Sequence, residues 1–331
     1  MLDHLTHYPS TGNPYNFIHN LVFVPTTSLI AGLLMGAMEV LYFNKLFSQK
    51  SFSRKIIYKT IIYLGIIFLV LLVLTVINAD DLNSSLFDKQ VWHNVWTFFG
   101  GYAFLSTAIY MASVIVVSLF YIEVSENLGQ GVLYNFFTGK YHTPKEEERI
   151  FMFLDMKSST TIAERLGHVK YFEILREYYS DLSDPVIRHS GEIYQYVGDE
   201  IIVSWTLKNG LRKNSCIECF FALKEAIKKQ TGKYHDKFGL LPAFKAAFHV
   251  GKVTTGEIGA LKKEIIFTGD VLNTTARIQG LCNIYEVDIL VSGNLIAKLN
   301  PNSRLHFKTL GENELRGRGE KIELFTILLL S

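Results

Sequence analysis

The apolar residues of this chain are unevenly placed, with almost all of their excess before residue 123. Three long runs carry it, over residues 21–43, 56–78 and 95–122. Each is near or above the ~20 residues that a helix needs to cross the hydrocarbon of a bilayer. Pro25 and Glu39 are the main interruptions of the first run, and Lys59 lies near the start of the second. The pattern predicts three membrane-spanning helices, so the first part of the chain is expected to have lipid as its solvent.

Basic residues give the orientation. The loop after the first run holds Lys45, Lys50, Arg54 and Lys55 and no acid. The loop after the second holds Asp80, Asp81 and Asp88 against Lys89, and the segment before the first run has neither Lys nor Arg. Positive charge marks the cytoplasmic side. Residues 1–20 are therefore expected to be an extracytoplasmic tail, residues 21–122 an all-α transmembrane domain, and everything after 122 cytoplasmic. This is the pattern of an integral protein of the cell membrane. Trp92, Trp96 and Tyr121 suit the interfaces at the ends of the third span. Glu39 lies close enough to the cytoplasmic end to reach water along its own stem, which is the favoured reading. The other is a polar contact inside the bundle, or a sensing role.

With 331 residues, length alone suggests about two domains. A net charge of +2 gives no argument for nucleic acid as a partner. Cys216, Cys219 and Cys282 are too few for a disulfide framework. The first two share one face of a helical pattern and read as core. Residues 123–148 are expected to link the halves, with a short helix interrupted by Gly129 and Gly131 and a charged run after Pro144.

From residue 149 to 331 strands and helices alternate. Residues 150–154 read as a first strand, and 158–182 as helix, broken near Gly167. Residues 192–205 form a hairpin and 214–229 a second helix. Residues 244–249 and 253–258 are two strands around Gly251, 265–267 is a short strand, and 270–282 is a helix. Strands at 288–292 and in the tail complete the pattern. This order predicts an α+β domain with helices against a largely antiparallel sheet.

Asp155 ends the first strand and Asp199 sits at the hairpin tip, in IYQYVGDEIIVSW. Strand and hairpin can be neighbours in a split βαβ arrangement. Two carboxylates on adjacent strand ends, with backbone carbonyls, would suit Mg²⁺ or Mn²⁺. KSSTT after Asp155 opens a helix whose N–H groups and hydroxyls could hold phosphate oxygens. Taken singly, each feature also reads as an ordinary solvated turn or N-cap. Asn273 and Arg277 stand four apart on one helix face, as a structural pair or as groups that stabilise a phosphoryl in transit.

Together these segments resemble the class III nucleotidyl cyclases, the catalytic domain of adenylate and guanylate cyclases. FMFLDMKSSTTIAERLG and IYQYVGDEIIVSW resemble the two metal-Asp motifs. FKAAFHVGKVTTGEIG resembles the paired glycine-bearing strands. FTGDVLNTTARIQGLC resembles the helix with the transition-state Asn and Arg, and LRGRGEKIELFTI the last strand pair. The resemblance covers about residues 149–326 in family order and leaves out the membrane half.

It implies a ferredoxin-like (βαββαβ) domain that turns a nucleoside triphosphate into a 3′,5′-cyclic nucleotide and pyrophosphate. It further implies that Asp155, Asp199 and the Met156 backbone carbonyl hold two Mg²⁺ or Mn²⁺ per site. Asn273 would orient the ribose and Arg277 would stabilise charge on the α-phosphate. Ser158, Ser159 and Thr160 would lie at the phosphates. Arg316 takes the place of a phosphate-binding Lys. Because the acid pair and the Asn/Arg helix meet across a head-to-tail pair in this family, a homodimer is implied. At the two positions that read the base stand Gln195 and Ile266, so the usual selectivity pair is absent. ATP is expected on family frequency, with GTP or a pyrimidine triphosphate open. A catalytically degenerate nucleotide-binding signalling module is the alternative.

Overall fold

The computed structural model describes residues 17–43, 46–47, 50–79, 89–129, 131–300, 304–315 and 321–329. The chain divides into two compact units, residues 1–128 and 129–331.

In the first unit, helix α1 (Phe17–Met38) runs into a π-helical turn, Glu39–Phe43. Helices α2 (Phe52–Ala79), α3 (Lys89–Phe99) and α4 (Tyr102–Leu128) follow. Among the described residues two helical stretches are long and apolar enough to cross a membrane, Phe52–Leu72 and Phe104–Ser125. In the first predicted run the comparable stretch, Gly32–Phe43, is shorter. The third predicted run is not one helix. Gly100 and Gly101 close α3, with the Gly100 N–H donating to the Trp96 carbonyl, and α4 starts afresh at Tyr102.

Helix α4 also continues past residue 122 to Leu128, into the segment read as linker. Glu123 is buried there and pairs with Lys55 of α2 at 2.6 Å. Glu39 does not reach for water. It is buried and accepts hydrogen bonds from Lys59 Nζ and Tyr63 Oη, both on α2. Beside this cluster pack Phe43, Phe47, Tyr63, Ile115 and Leu119.

The second unit opens with a short helix, α5 (Val132–Phe137), and then β1 (Lys145–Met156). Next come α6 (Ser159–Leu166), α7 (His168–Arg188) and the hairpin β2 (Glu192–Val197) and β3 (Glu200–Thr206). A turn of helix, α8 (Leu207–Leu211), leads to α9 (Ser215–Lys229) and α10 (Thr231–Phe238). Then follow β4 (Phe244–Ile258), β5 (Glu264–Thr268), α11 (Asp270–Leu281), β6 (Ile289–Ser292) and α12 (Gly293–Ile296). Strands β7 (Leu305–Glu314) and β8 (Lys321–Leu329) complete the unit.

The sheet order is β2-β3-β1-β4-β6-β8-β7, with β5 on β4. All pairings are antiparallel except β4 with β6. Its first four strands give the order of the ferredoxin-like βαββαβ unit, in agreement with the α+β, largely antiparallel expectation.

Side-chain alternation explains the two layers. Ile150, Met152, Leu154 and Met156 of β1 face one way, into a core with Tyr178, Phe220 and Trp205. Cys216 and Cys219 lie in that core as expected, and burial pushes the Cys216 thiol up to about 12. Phe151 and Phe153 face the other way, against Val253 and Val271 under α11. Asp155 belongs to this second face by the same alternation.

Strand β1 is longer than predicted, because the charged run 145–149 pairs with β4 from Lys145↔Thr255 to Arg149↔Gly251. Its charges are held locally. Arg149 is buried and donates to Glu192, to Glu147 at 3.3 Å and to Ser204 at 3.0 Å. Strand β4 likewise runs straight through Gly251, where a Cβ would come within 3.1 Å of Val271 on α11. The glycine lets the helix approach the sheet rather than ending the strand. Gly167, at φ +74°, separates α6 from α7 as predicted.

Candidate active site

Asp155 lies one residue before the end of β1. In register it faces Glu200 on β3 and Lys245 on β4. These three charges form a row across the sheet on the α11 side. Lys245 is buried, and its Nζ lies 3.3 Å from Asp155 Oδ2. Gln279, near the end of α11, donates from Nε2 to the same oxygen at 2.9 Å.

Asp199 follows Gly198, whose φ of +64° makes the hairpin tip. Tyr179 of α7 fixes that tip by donating to the Gly198 carbonyl, and its ring lies 4.5 Å from that of Tyr196. Burial pushes the Asp199 carboxyl up. A hydrogen bond from Ser159 offsets this, and the adjoining Asp155 carboxylate adds to it. Asp199 Oδ2 is buried without a hydrogen-bond partner. Glu200 is pushed up to about 7, first by burial and then by Asp155 and Asp199. The site thus gathers three acids beside the ammonium of Lys245.

A cation would relieve this arrangement, and the donors fit a hard one. They are carboxylate oxygens, and Asp199 Oδ2 is buried and unsatisfied. Met156 can contribute only through its backbone, since its side chain is in the core. Among the described residues no group of three His, Cys, Asp or Glu side chains is placed to hold a metal. Carboxylates alone would therefore leave coordination positions for backbone and substrate oxygens.

The KSSTT segment is used unevenly. Ser158 takes a left-handed backbone at φ +56° and makes no side-chain cap. Ser159 turns to Asp199, while Ser158 and Thr160 are exposed.

On α11, Val271, Thr274, Thr275 and Ile278 are buried against the sheet, whereas Asn273 is exposed and Arg277 half-exposed. Within one copy no hydrogen bond or ion pair among the described residues joins the Asn/Arg pair to the acid pair.

Gln195 and Ile266 each adjoin a residue of one β2–β5 contact. A bulge in β2 at Tyr194 shifts the register, and the Tyr194 ring lies 4.8 Å from that of Phe267 on β5. The Phe267 N–H donates to Tyr194 Oη at 3.3 Å. Gln195 and Ile266 are the chain neighbours of these two residues. Arg316 lies outside the described residues.

Lys245, Gln279 and Tyr179 escaped the sequence reading. Only the β1–β4 register reveals Lys245, and only the packing of α11 and α7 reveals the other two.

Residues 142–328 match the family model described as the adenylate and guanylate cyclase catalytic domain. The chain belongs to this family. Adenylate cyclase 2 of Rhizobium meliloti (strain 1021) is 34% identical over 223 residues, which are 67% of this chain and 61% of that protein. Adenylate cyclase 1 of the same organism is 26% identical over 186 residues, covering 55% of this chain and 28% of that protein. The cyclase chain thus spans less than two thirds of either relative. The first match is longer than the family domain itself, and only three residues follow 328. It therefore includes part of the chain before residue 142. Among solved structures, a bacterial light-regulated adenylyl cyclase superposes with a TM-score of 0.57 at 18% identity, covering 69% of this chain and 66% of that one. That likeness bears on the fold, which is the mixed cyclase sheet described above.

Proposed function

We propose that the protein is a membrane-anchored nucleotide cyclase that converts ATP to 3′,5′-cyclic AMP and pyrophosphate for intracellular signalling, at sites completed between two copies of the chain. The observation that carries this reading is the contact of Asp155 with Asp199 around a buried, unsatisfied carboxylate oxygen.

Asp155, Asp199 and the Met156 carbonyl would hold two Mg²⁺ or Mn²⁺ ions. When bound, such ions lower the pKa of the ribose 3′-hydroxyl and neutralise charge on the leaving phosphates. In the reaction the 3′-oxygen forms a bond to the α-phosphorus as the bond to the pyrophosphate oxygen breaks. Asn273 of the second copy orients the ribose for in-line attack. Arg277 of that copy stabilises charge on the α-phosphate as it develops. The exposed Ser158 and Thr160 hydroxyls at the start of α6, with Arg316, serve the triphosphate. A homodimer follows from this reading, which takes the acid pair from one copy and the Asn/Arg pair from the other.

ATP as substrate is supported by the names of both relatives, which are adenylate cyclases. Gln195 can offer either a donor or an acceptor to a base edge, and Ile266 offers neither. GTP therefore stays in the test. Anchoring is supported by the two apolar stretches, Phe52–Leu72 and Phe104–Ser125, and a cytoplasmic catalytic unit by the basic residues of the loop between the first two apolar runs.

The test incubates the full chain in detergent with each of the four ribonucleoside triphosphates and Mn²⁺. Cyclic AMP from ATP is the expected product, and it should be lost in a folded Asp155→Ala variant. No cyclic product from any of the four, with dimer and fold intact, would overturn the enzyme reading in favour of a non-catalytic nucleotide-binding module.

A further inference from the structure

Gln279 is a neutral residue, buried beside Asp155 and Lys245. Its amide Nε2 donates to Asp155 Oδ2 at 2.9 Å. Lys245 Nζ approaches that oxygen to 3.3 Å and donates to Asn283 Oδ1 at 3.1 Å. Both donors meet the carboxylate on one oxygen. Neither of these two donors is placed on the other oxygen.

We propose that Gln279 is a positioning residue, which fixes the rotamer of Asp155 so that one carboxylate oxygen is held ready for the metal. This rests on the cyclase reading above. The chemistry favours the amide for the task. A lysine ammonium is a point charge on a flexible stem and does not set the plane of a carboxylate. The amide N–H is directional, and being neutral it does not repel a cation bound to the opposite oxygen. Its place in the chain adds a second consequence. Gln279 sits on α11 with Asn273 and Arg277. The acid that serves one site and the Asn/Arg pair that serves the other are thus fastened to the same helix within each copy.

The test compares the parent protein with Gln279→Met, which keeps length and burial and removes the donor. Mn²⁺ binding is read by EPR without nucleotide, beside the thermal midpoint in EDTA and the kcat and KM for the nucleotide. Outer-shell partners of metal ligands typically matter about 10- to 100-fold in metal affinity or activity. The expected result is a Mn²⁺ affinity weaker by about ten-fold or more, a lower kcat and a thermal midpoint in EDTA close to the parent's. Gln279→Asn, with an amide one methylene too short, should shift Mn²⁺ affinity the same way and serves where the Met variant does not fold. Mn²⁺ affinity within two-fold of the parent in either folded variant would overturn the inference, as would a parent that binds no Mn²⁺ at millimolar concentration. A parent that binds Mn²⁺ but yields no cyclic nucleotide would overturn the cyclase reading alone, because the affinity comparison stands without turnover.

Discussion

The carboxylates of Asp155 and Asp199 lie in contact, one from the end of β1 and one from the β2–β3 tip, and Asp199 Oδ2 is buried with no partner. Two acids so placed disfavour being charged together, so the catalytic geometry costs the metal-free fold stability. Asp199→Asn should therefore raise the thermal stability of the protein in EDTA, by a shift worth on the order of 1 kcal/mol. The same change should abolish the stabilisation that millimolar Mn²⁺ gives the parent, since a ligand stabilises only the state it binds. Differential scanning fluorimetry with and without Mn²⁺ checks both. A variant less stable than the parent in EDTA would show that the pair is not strained.

The same crowding gives a pH dependence. Burial, with Asp155 and Asp199 adding to it, holds the Glu200 carboxyl up to about 7 in the folded protein. In the unfolded chain it returns to ~4.3. The folded state thus binds this proton more tightly, and the contribution is full below the unfolded value. In EDTA, stability from this group should fall as pH rises from about 4.3 through about 7. Glu200→Gln should flatten that part of the profile. Chemical denaturation at a series of pH values reads the slope. An unchanged slope in the variant would assign the dependence to other acids.

How far the site could be read in the sequence follows the kind of signal each residue gives. Asp155, Asp199, Asn273 and Arg277 stand inside local motifs whose spacing survives without the fold, and the hairpin and α11 were legible for that reason. Lys245 and Gln279 become visible only when β4 is laid in register with β1 and α11 is packed over it. Residues 145–149 looked like a solvated charged run, because nothing local shows that Arg149 will be buried against Glu192 and Ser204 from another hairpin. Glu39 failed for the same reason, its partners being on a different helix.

If the acid pair of one copy works with Asn273 and Arg277 of the other, complementation is a direct test of the shared site. Asp155→Ala and Asn273→Ala homodimers should each lose activity, by about 10²-fold or more for loss of a transition-state contact. Mixed, they form heterodimers in which one of the two sites is intact. Random pairing should recover about a quarter of the parent activity. Recovery is read by cyclic nucleotide formation after co-expression. No recovery in a mixture shown to contain heterodimer would place all of the catalytic groups within one copy.

In the first unit, Glu39 accepts from Lys59 and Tyr63 while buried, and Lys55 pairs with Glu123 at 2.6 Å near the end of α4. Removing one member of a buried ion pair strands the other charge, at a cost of about 3–5 kcal/mol, whereas removing both is often close to neutral. Lys59→Met alone should therefore destabilise the detergent-solubilised protein strongly. Glu39→Gln with Lys59→Met should recover most of the loss, since the carboxylate that lacked its cation is gone and the amide can still accept from Tyr63. Thermal midpoints by static light scattering distinguish the cases. Equal destabilisation by the single and double variants would mean that the pair contributes through packing rather than charge. Cyclase activity measured on the stable double variant then shows whether the α1–α2 network also sets the basal rate, with an altered rate at unchanged KM as the outcome that would link the two.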